Sequence, residues 1–247
     1  MIKARTVARW VAIVIALLLA IFLALYGVWQ LSRSRTYQLF GEIVPRVETS
    51  QKVVALTFDD GPTPAYTDGV LDVLREHGVK ATFFLMGVDA EKNPDQVRAI
   101  IADGHELGNH TFTHPDMTLA DLDKARDEVE RTDAALRNAG YAGEIHFRPP
   151  FGKKLIGLPL YLADHDRTTI TWDVEPESFK EIAADPKRIT EHVLEKTRPG
   201  SIIILHVMYR ARETSRQALP DVIEGLQALG FRFVTVSELL AMRGKES

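Results

Sequence analysis

The chain has 247 residues, no cysteine, a formal net charge of −4 and 45% hydrophobic residues. Zero cysteine excludes disulfides and thiolate metal ligands, and mild acidity excludes the clustered basic surface by which nucleic-acid binders are recognised. A domain of about 200 residues can bury roughly 70% of its unfolded surface in one core, so no second domain is required.

In chain order, residues 1–9 carry Lys3, Arg5 and Arg9, and Trp10 to Leu31 reads WVAIVIALLLAIFLALYGVWQL, with Gln30 its one strongly polar residue. About 20 such residues make a helix that crosses a bilayer. Trp10, Tyr26 and Trp29 sit near its ends, where aromatic rings favour the interface, and the preceding charges favour a cytoplasmic N-terminus. A cleaved signal peptide has a shorter apolar core and a small-x-small site, and Ala24-Leu25-Tyr26 lacks the second small residue. The expectation is a single-pass, uncleaved membrane anchor over 10–31 with the following domain on the extracytoplasmic side. Residues 32–51 mix charged and polar side chains with one proline and read as a tether. The domain proper is expected over 52–247.

From Val53 onward, seven short apolar runs read as strands: VVALTF, ATFFLMG, HELGNH, IHFRPP, RTTITWD, SIIILH and FRFVTV. Between them, Thr67 to His77, Pro94 to Asp103, Leu119 to Asn138 and Arg216 to Leu229 show helical spacing. Gly78, Gly104, Gly140 and Gly230 follow, where helix C-caps belong. This alternation predicts an α/β fold: a distorted (β/α) barrel of about seven parallel strands, preceded by one transmembrane helix.

In such a fold the chemistry gathers at the C-terminal strand ends. The strand candidates end in Asp59 and Asp60, His110, Arg148, Trp172 and Asp173, and His206. His110 and His114, four apart, can face one way on a helical turn and hold a divalent metal, although the same spacing suits a surface pair. Two histidines and one carboxylate leave coordination positions open for water and substrate. Of the paired aspartates, one can then be a ligand and its neighbour a base; Asp-Gly-Pro is equally good turn chemistry. Arg148 can orient the base carboxylate or form a surface ion pair. His206, after a very apolar run, reads equally as a buried core histidine and as a general acid.

TFDDGP, HTFTH, RPPFG, WDVEP and LH occur in the order of the motifs of the polysaccharide deacetylases of carbohydrate esterase family 4, and the chain resembles that family over roughly residues 50–242. The resemblance implies metal-dependent removal of acetyl groups from N-acetylglucosamine units of peptidoglycan, chitin or chitooligosaccharides, with O-acetyl esterase action on acetylated polysaccharide as the alternative. A non-catalytic glycan-binding protein is the third reading. The resemblance makes Asp59 the general base, Asp60, His110 and His114 the ligands of a divalent ion, commonly zinc with cobalt able to substitute, and Arg148 the residue that orients Asp59. The main-chain N–H of Phe151 would bind the acetyl oxygen, and His206 would protonate the leaving amine. The fourth motif departs from the family: Glu175 is the expected partner of His206, with Asp173 and Glu177 as alternatives, and Phe179 and Leu205 are expected to wall the acetyl methyl.

Overall fold

The computed structural model describes residues 2–243, and side chains from residue 10 onward. Lys3, Arg5 and Arg9, which carry the expectation for orientation, lie outside the described side chains. Helix α1 (Ile2–Ser32) contains one stretch, Trp10–Ser32, long and apolar enough to cross a bilayer. From Trp10 to Gln30 it is exposed on every face. A helix apolar all round needs apolar surroundings, and the other described residues of the chain do not supply them.

The stretch expected as a tether instead enters the fold at once. Ser32 is buried, and its carbonyl accepts a hydrogen bond from the Lys154 amide at 2.9 Å. β1 (Ile43–Val44) pairs in parallel with β5 (Thr169–Ile170), Val44 and Val47 are buried, and the Val47 amide donates to the Gly200 carbonyl at 3.0 Å. Its average composition reads as linker, yet its few apolar residues are enough to add a short strand and part of the core.

The main sheet has the order β4 (Glu106–Asn109), β3 (Thr82–Leu85), β2 (Val53–Asp59), β6 (Ile202–His206), with β7 (Arg232–Phe233) also paired to β2. Every ladder is parallel. The run IHFRPP forms no strand. Phe147 alone makes bridges, to Asn109 and Thr169; Pro149 and Pro150 follow it without amide donors, which stops a ladder. Single bridges at Phe147 thus join the two sheets, and Val174, past the end of β5, bridges Ile203 of β6. The hydrogen-bonded ladders are a five-stranded and a two-stranded sheet rather than one continuous barrel.

Helices α2 (Thr67–Glu76), α3 (Gly87–Lys92), α4 (Pro94–Ala102), α5 (Leu122–Asn138), α6 (Gly157–Asp164), α7 (Lys180–Ala183), α8 (Pro186–Lys196), α9 (Glu213–Ala228) and α10 (Val236–Leu240) connect the strands. α5 starts later than the apolar spacing predicts, because Asp121 caps it by accepting from the Lys124 amide at 2.8 Å. Gly78 and Gly230, at φ 64° and 84°, take the left-handed positions just past α2 and α9. Alternation along β2 splits the core: Val54, Leu56 and Phe58 pack with residues of α2, α4 and α9, while Val53 and Ala55 pack with Ile202, Ile204 and Trp172. Parallel strands point their C-terminal ends one way, which brings Asp59, Asn109 and His206 to one end of the sheet.

Candidate active site

β2 ends in the two aspartates, and the chain turns between them. Asp60 takes φ 77°, a left-handed conformation that a short polar residue tolerates, and the adjacent carboxylates part company. Asp59, 2% exposed, accepts from Arg148 Nη1 at 2.5 Å. Arg148 is wholly buried and donates also to Thr57 Oγ1 at 2.9 Å and to the Thr171 carbonyl at 3.2 Å, and its guanidinium lies 4.0 Å from the centre of the Phe84 ring. Burial lowers the Arg148 pKa, and the charge of Asp59 opposes that shift. A fully desolvated pair held by this many hydrogen bonds fixes the Asp59 carboxylate in one place.

Asp60 Oδ1 lies 3.9 Å from His110 Nε2 and 3.5 Å from His114 Nε2, and the Asp59 oxygen that Arg148 does not hold, Oδ2, lies 3.5 Å from the same His110 nitrogen. Asp60 Oδ1 is a buried oxygen without a hydrogen-bond partner. His110 Nδ1 lies 2.8 Å from the Arg148 carbonyl. A carbonyl only accepts, so Nδ1 carries the proton and Nε2 presents its lone pair to Asp60 and His114. Burial lowers the His110 pKa to about 3, which keeps the ring neutral. One carboxylate oxygen and two imidazole nitrogens, all within 4.8 Å of one another, suit a tetrahedral divalent ion with bond lengths of about 2.0–2.2 Å. The orphaned Asp60 oxygen is the atom such an ion would satisfy.

The two histidines do not share a helical turn. Residues 110–114 form a loop in which Thr111 and His114 have φ 67° and 58°, and these left-handed steps bring the rings to 4.9 Å. A β-branched residue at positive φ is strained, and the loop is held by Glu128 of α5. The Glu128 side chain accepts from the amides of Phe112 and Thr113 at 2.8 and 2.7 Å, from Thr113 Oγ1 at 2.6 Å and from Lys124 Nζ at 2.6 Å.

His206 is the register partner of Asp59 on the neighbouring strand. Its Nδ1 meets the Glu177 carboxylate in a short contact, and its amide donates to Glu177 at 3.1 Å. Ser215 Oγ donates to the same carboxylate. Burial pulls the imidazole pKa down, but the Glu177 hydrogen bond and the charges of Glu177, Asp59 and Asp60 outweigh it and leave His206 raised. Burial pushes Glu177 upward, and His206, Ser215 and Arg212 together leave it lowered.

Four of the candidate residues take other partners or places. Glu175 accepts from Trp172 Nε1 at 3.0 Å and pairs with Arg35 at 3.1 Å, so Glu177 rather than Glu175 partners His206. Asp173 is occupied by Ser201 Oγ and the Ile202 amide, each at 3.0 Å. Leu205 is wholly buried among the helix-facing residues, while Ile204 lines the cavity; period-two alternation in SIIILH puts Ile204 on the face of His206 and Leu205 on the other. Phe179 lies with its ring 5.5 Å from His192 and is absent from the cavity wall. Phe151 does line the cavity, at φ 57°, with its ring 4.7 Å from that of His114. Trp172 forms a further wall, and Trp29, Arg33 and Arg35 at the end of α1 reach the same cavity. Nothing in the spacing of residues 29–35 signals this.

Residues 46–170 match the family described as polysaccharide deacetylase. A peptidoglycan-N-acetylglucosamine deacetylase of Bacillus cereus is 39% identical over 188 residues, covering 75% of this chain and 67% of the relative. The solved Bc1960 peptidoglycan N-acetylglucosamine deacetylase superposes with a TM-score of 0.75 at 35% identity, covering 82% of this chain and 94% of that one. A CE4 family pseudoenzyme from Bacillus anthracis superposes with a TM-score of 0.71 at 29% identity, covering 80% and 68%. The chain belongs to the polysaccharide deacetylase family and is an enzyme of that family, a hydrolase.

Proposed function

We propose that this protein removes acetyl groups hydrolytically from N-acetylglucosamine units of a glycan, peptidoglycan or chitooligosaccharide, with α1 as a single-pass anchor and the catalytic domain on the extracytoplasmic side. One observation carries the reading. A buried, unpartnered Asp60 oxygen beside two histidine nitrogens sits at a cavity that also receives an Arg148-held carboxylate and a Glu177-held imidazole. An inactive relative of this fold would have no need of that whole set. The single bridges at Phe147 and Val174 support reading the sheets as a distorted barrel around this end.

A divalent ion held by Asp60, His110 and His114, zinc or cobalt, would polarise the acetyl carbonyl and lower the pKa of its water. Asp59 takes the proton of the attacking water, because Arg148 fixes its other oxygen and leaves one free towards the cavity. His206 gives a proton to the amine nitrogen as the C–N bond breaks; its raised pKa keeps that proton available near neutrality. Ile204, Trp172 and Phe151 line the same cavity and limit bulk water. The main-chain N–H of Phe151 is the proposed donor to the acetyl oxygen.

Acetate release from chitin oligomers, peptidoglycan and acetylated xylan, with chelator and with zinc or cobalt restored, tests the proposal. Metal-dependent release from the first two, reduced about 10²–10⁴-fold in Asp59→Asn with bound metal unchanged, is expected. Chelator-insensitive release, or full turnover by Asp59→Asn, would overturn it.

A further inference from the structure

The end of the apolar helix forms part of the catalytic cavity. Of the walls enclosing its volume of about 680 Å³, one is built by Asp60, His110 and His114, and another by Trp29, Arg33 and Arg35. The joint between them is fastened by buried groups. Lys154, 1% exposed, gives its amide to the Ser32 carbonyl and its ammonium to the carbonyls of Ser34 and Gly152. Thr171 Oγ1 donates to the Arg35 carbonyl at 2.6 Å, and the Arg35 guanidinium pairs with Glu175. No slack separates the span from the site. A helix that leaves the bilayer at Ser32 therefore holds the cavity mouth in the headgroup layer, which is about 5–8 Å deep on each side.

The side chains around that exit suit the location. Tyr37, Leu39 and Phe40 follow it and are exposed, as are Ile156 and Leu160 just beyond Lys154. Exposed apolar residues that follow a span, or follow the lysine that fastens its end, fit the boundary between headgroups and acyl chains. Arg33, one residue past the span, lines the same cavity as the candidate metal ligands. Its guanidinium carbon lies 4.8 Å from the Trp29 ring centre, and among the described residues no carboxylate comes within 4.0 Å of its nitrogens. One cavity lining thus joins the end of the apolar helix, an unpaired guanidinium and the acetamide-cleaving groups.

We infer that the substrate is itself held in the membrane: an N-acetylated sugar joined through a phosphate-type link to a lipid tail. The inference rests on the deacetylase reading and on α1 as an anchor. The tail lies beside α1, Arg33 pairs with the phosphate through its N–H fork, and the acetamide reaches Asp59 and His206. Hydrolysis breaks the amide C–N bond, adds the hydroxyl of water to the acetyl carbon and leaves acetate and the sugar amine on the lipid. A glycan already fixed in a wall would have to descend to the headgroups to be cut.

The test uses the full chain in lipid vesicles with three substrates carrying the same N-acetylglucosamine head: a polyprenyl diphosphate, a lipid with a long neutral spacer, and a free chitooligosaccharide. The neutral lipid controls for confinement to the surface. A kcat/KM about tenfold higher for the diphosphate than for the neutral lipid is expected, this being the worth of one charged hydrogen-bonded contact. Arg33→Ala should close that gap and Arg33→Lys should keep part of it. Binding of the metal-free protein to the diphosphate lipid, read from the fluorescence of Trp29 and Trp172, should weaken in Arg33→Ala by the same factor. Equal rates on the two lipids, or a gap and an affinity indifferent to Arg33→Ala, overturn the inference and leave deacetylation standing. Acetate from none of the three overturns both.

Discussion

Each end of the parallel strands gathers buried polar side chains, and the two gatherings differ in one respect. At the N-terminal ends, Glu106 accepts from Thr82 Oγ1 at 2.6 Å and from the amide and hydroxyl of Ser237, while Ser237 Oγ lies 2.9 Å from His146 Nε2. Thr82 Oγ1 in turn accepts from the Val236 amide at 3.0 Å. This serine, histidine and glutamate together resemble a catalytic set, but their groups satisfy one another and fasten the start of α10. At the C-terminal ends, Asp60 keeps an oxygen without a partner and the cluster faces a cavity. Buried polarity is common to structure and function; an unsatisfied polar atom beside candidate ligands at a cavity marks the second.

Four substitutions put that difference at risk. The largest effect belongs to Asp60→Ala. Zinc affinity should fall by more than the roughly 100-fold that supporting residues are worth, while the metal-free protein loses only the roughly 1–2 kcal/mol that an alanine costs at the left-handed φ of 77°, because the lost oxygen had no partner. Calorimetric metal titration and a thermal melt read both, and a large drop in melting temperature would show the residue to be structural.

Next comes Glu177→Gln, expected to cost about tenfold in kcat near neutrality and to move the alkaline limb of the pH profile to lower pH. The sign follows from His206 acting as an acid: Glu177 raises its pKa, and activity fails as pH rises through that value. Glu175→Gln should leave the limb in place. The same pair has a stability counterpart. The raised His206 stabilises fully below its unfolded pKa and less as pH rises through the folded value, whereas the lowered Glu177 stabilises above its unfolded pKa and less as pH falls through the folded one. The pair therefore contributes most between about pH 4.3 and 6.5. The smallest catalytic effect belongs to Glu106→Gln, which should lower stability by about 1–3 kcal/mol in denaturant unfolding with zinc affinity unchanged.

The legible parts of the site were those whose chemistry is written in adjacent residues. TFDDGP and HTFTH bring their carboxylates and imidazoles to strand ends that any parallel arrangement would align, whereas Arg148 follows the single bridges at Phe147 rather than a strand. The stretch after Trp172 has no ladder to fix its direction, so counting along WDVEPESF could not separate Glu175 from Glu177; Ser215 and the His206 amide, distant in sequence, select Glu177. Leu205 was misplaced although the alternation of SIIILH contained the answer. Among the strands, a two-residue β1 inside a polar stretch carries too few apolar side chains to stand out, and Phe147 bridges two sheets without forming a run. The strained loop from His110 to His114 was invisible as well, since its shape depends on a glutamate in α5.

That glutamate extends the inheritance of the candidate metal site beyond its proposed ligands. Glu128 grips the ligand loop from the middle of α5, and Lys124, one turn earlier, grips Glu128. Drift along the buried stripe of this helix would reach the spacing of His110 and His114 before either histidine changed. In a lineage of such proteins, lost metal retention could begin in α5, leaving an intact ligand motif over a loop that no longer holds its shape.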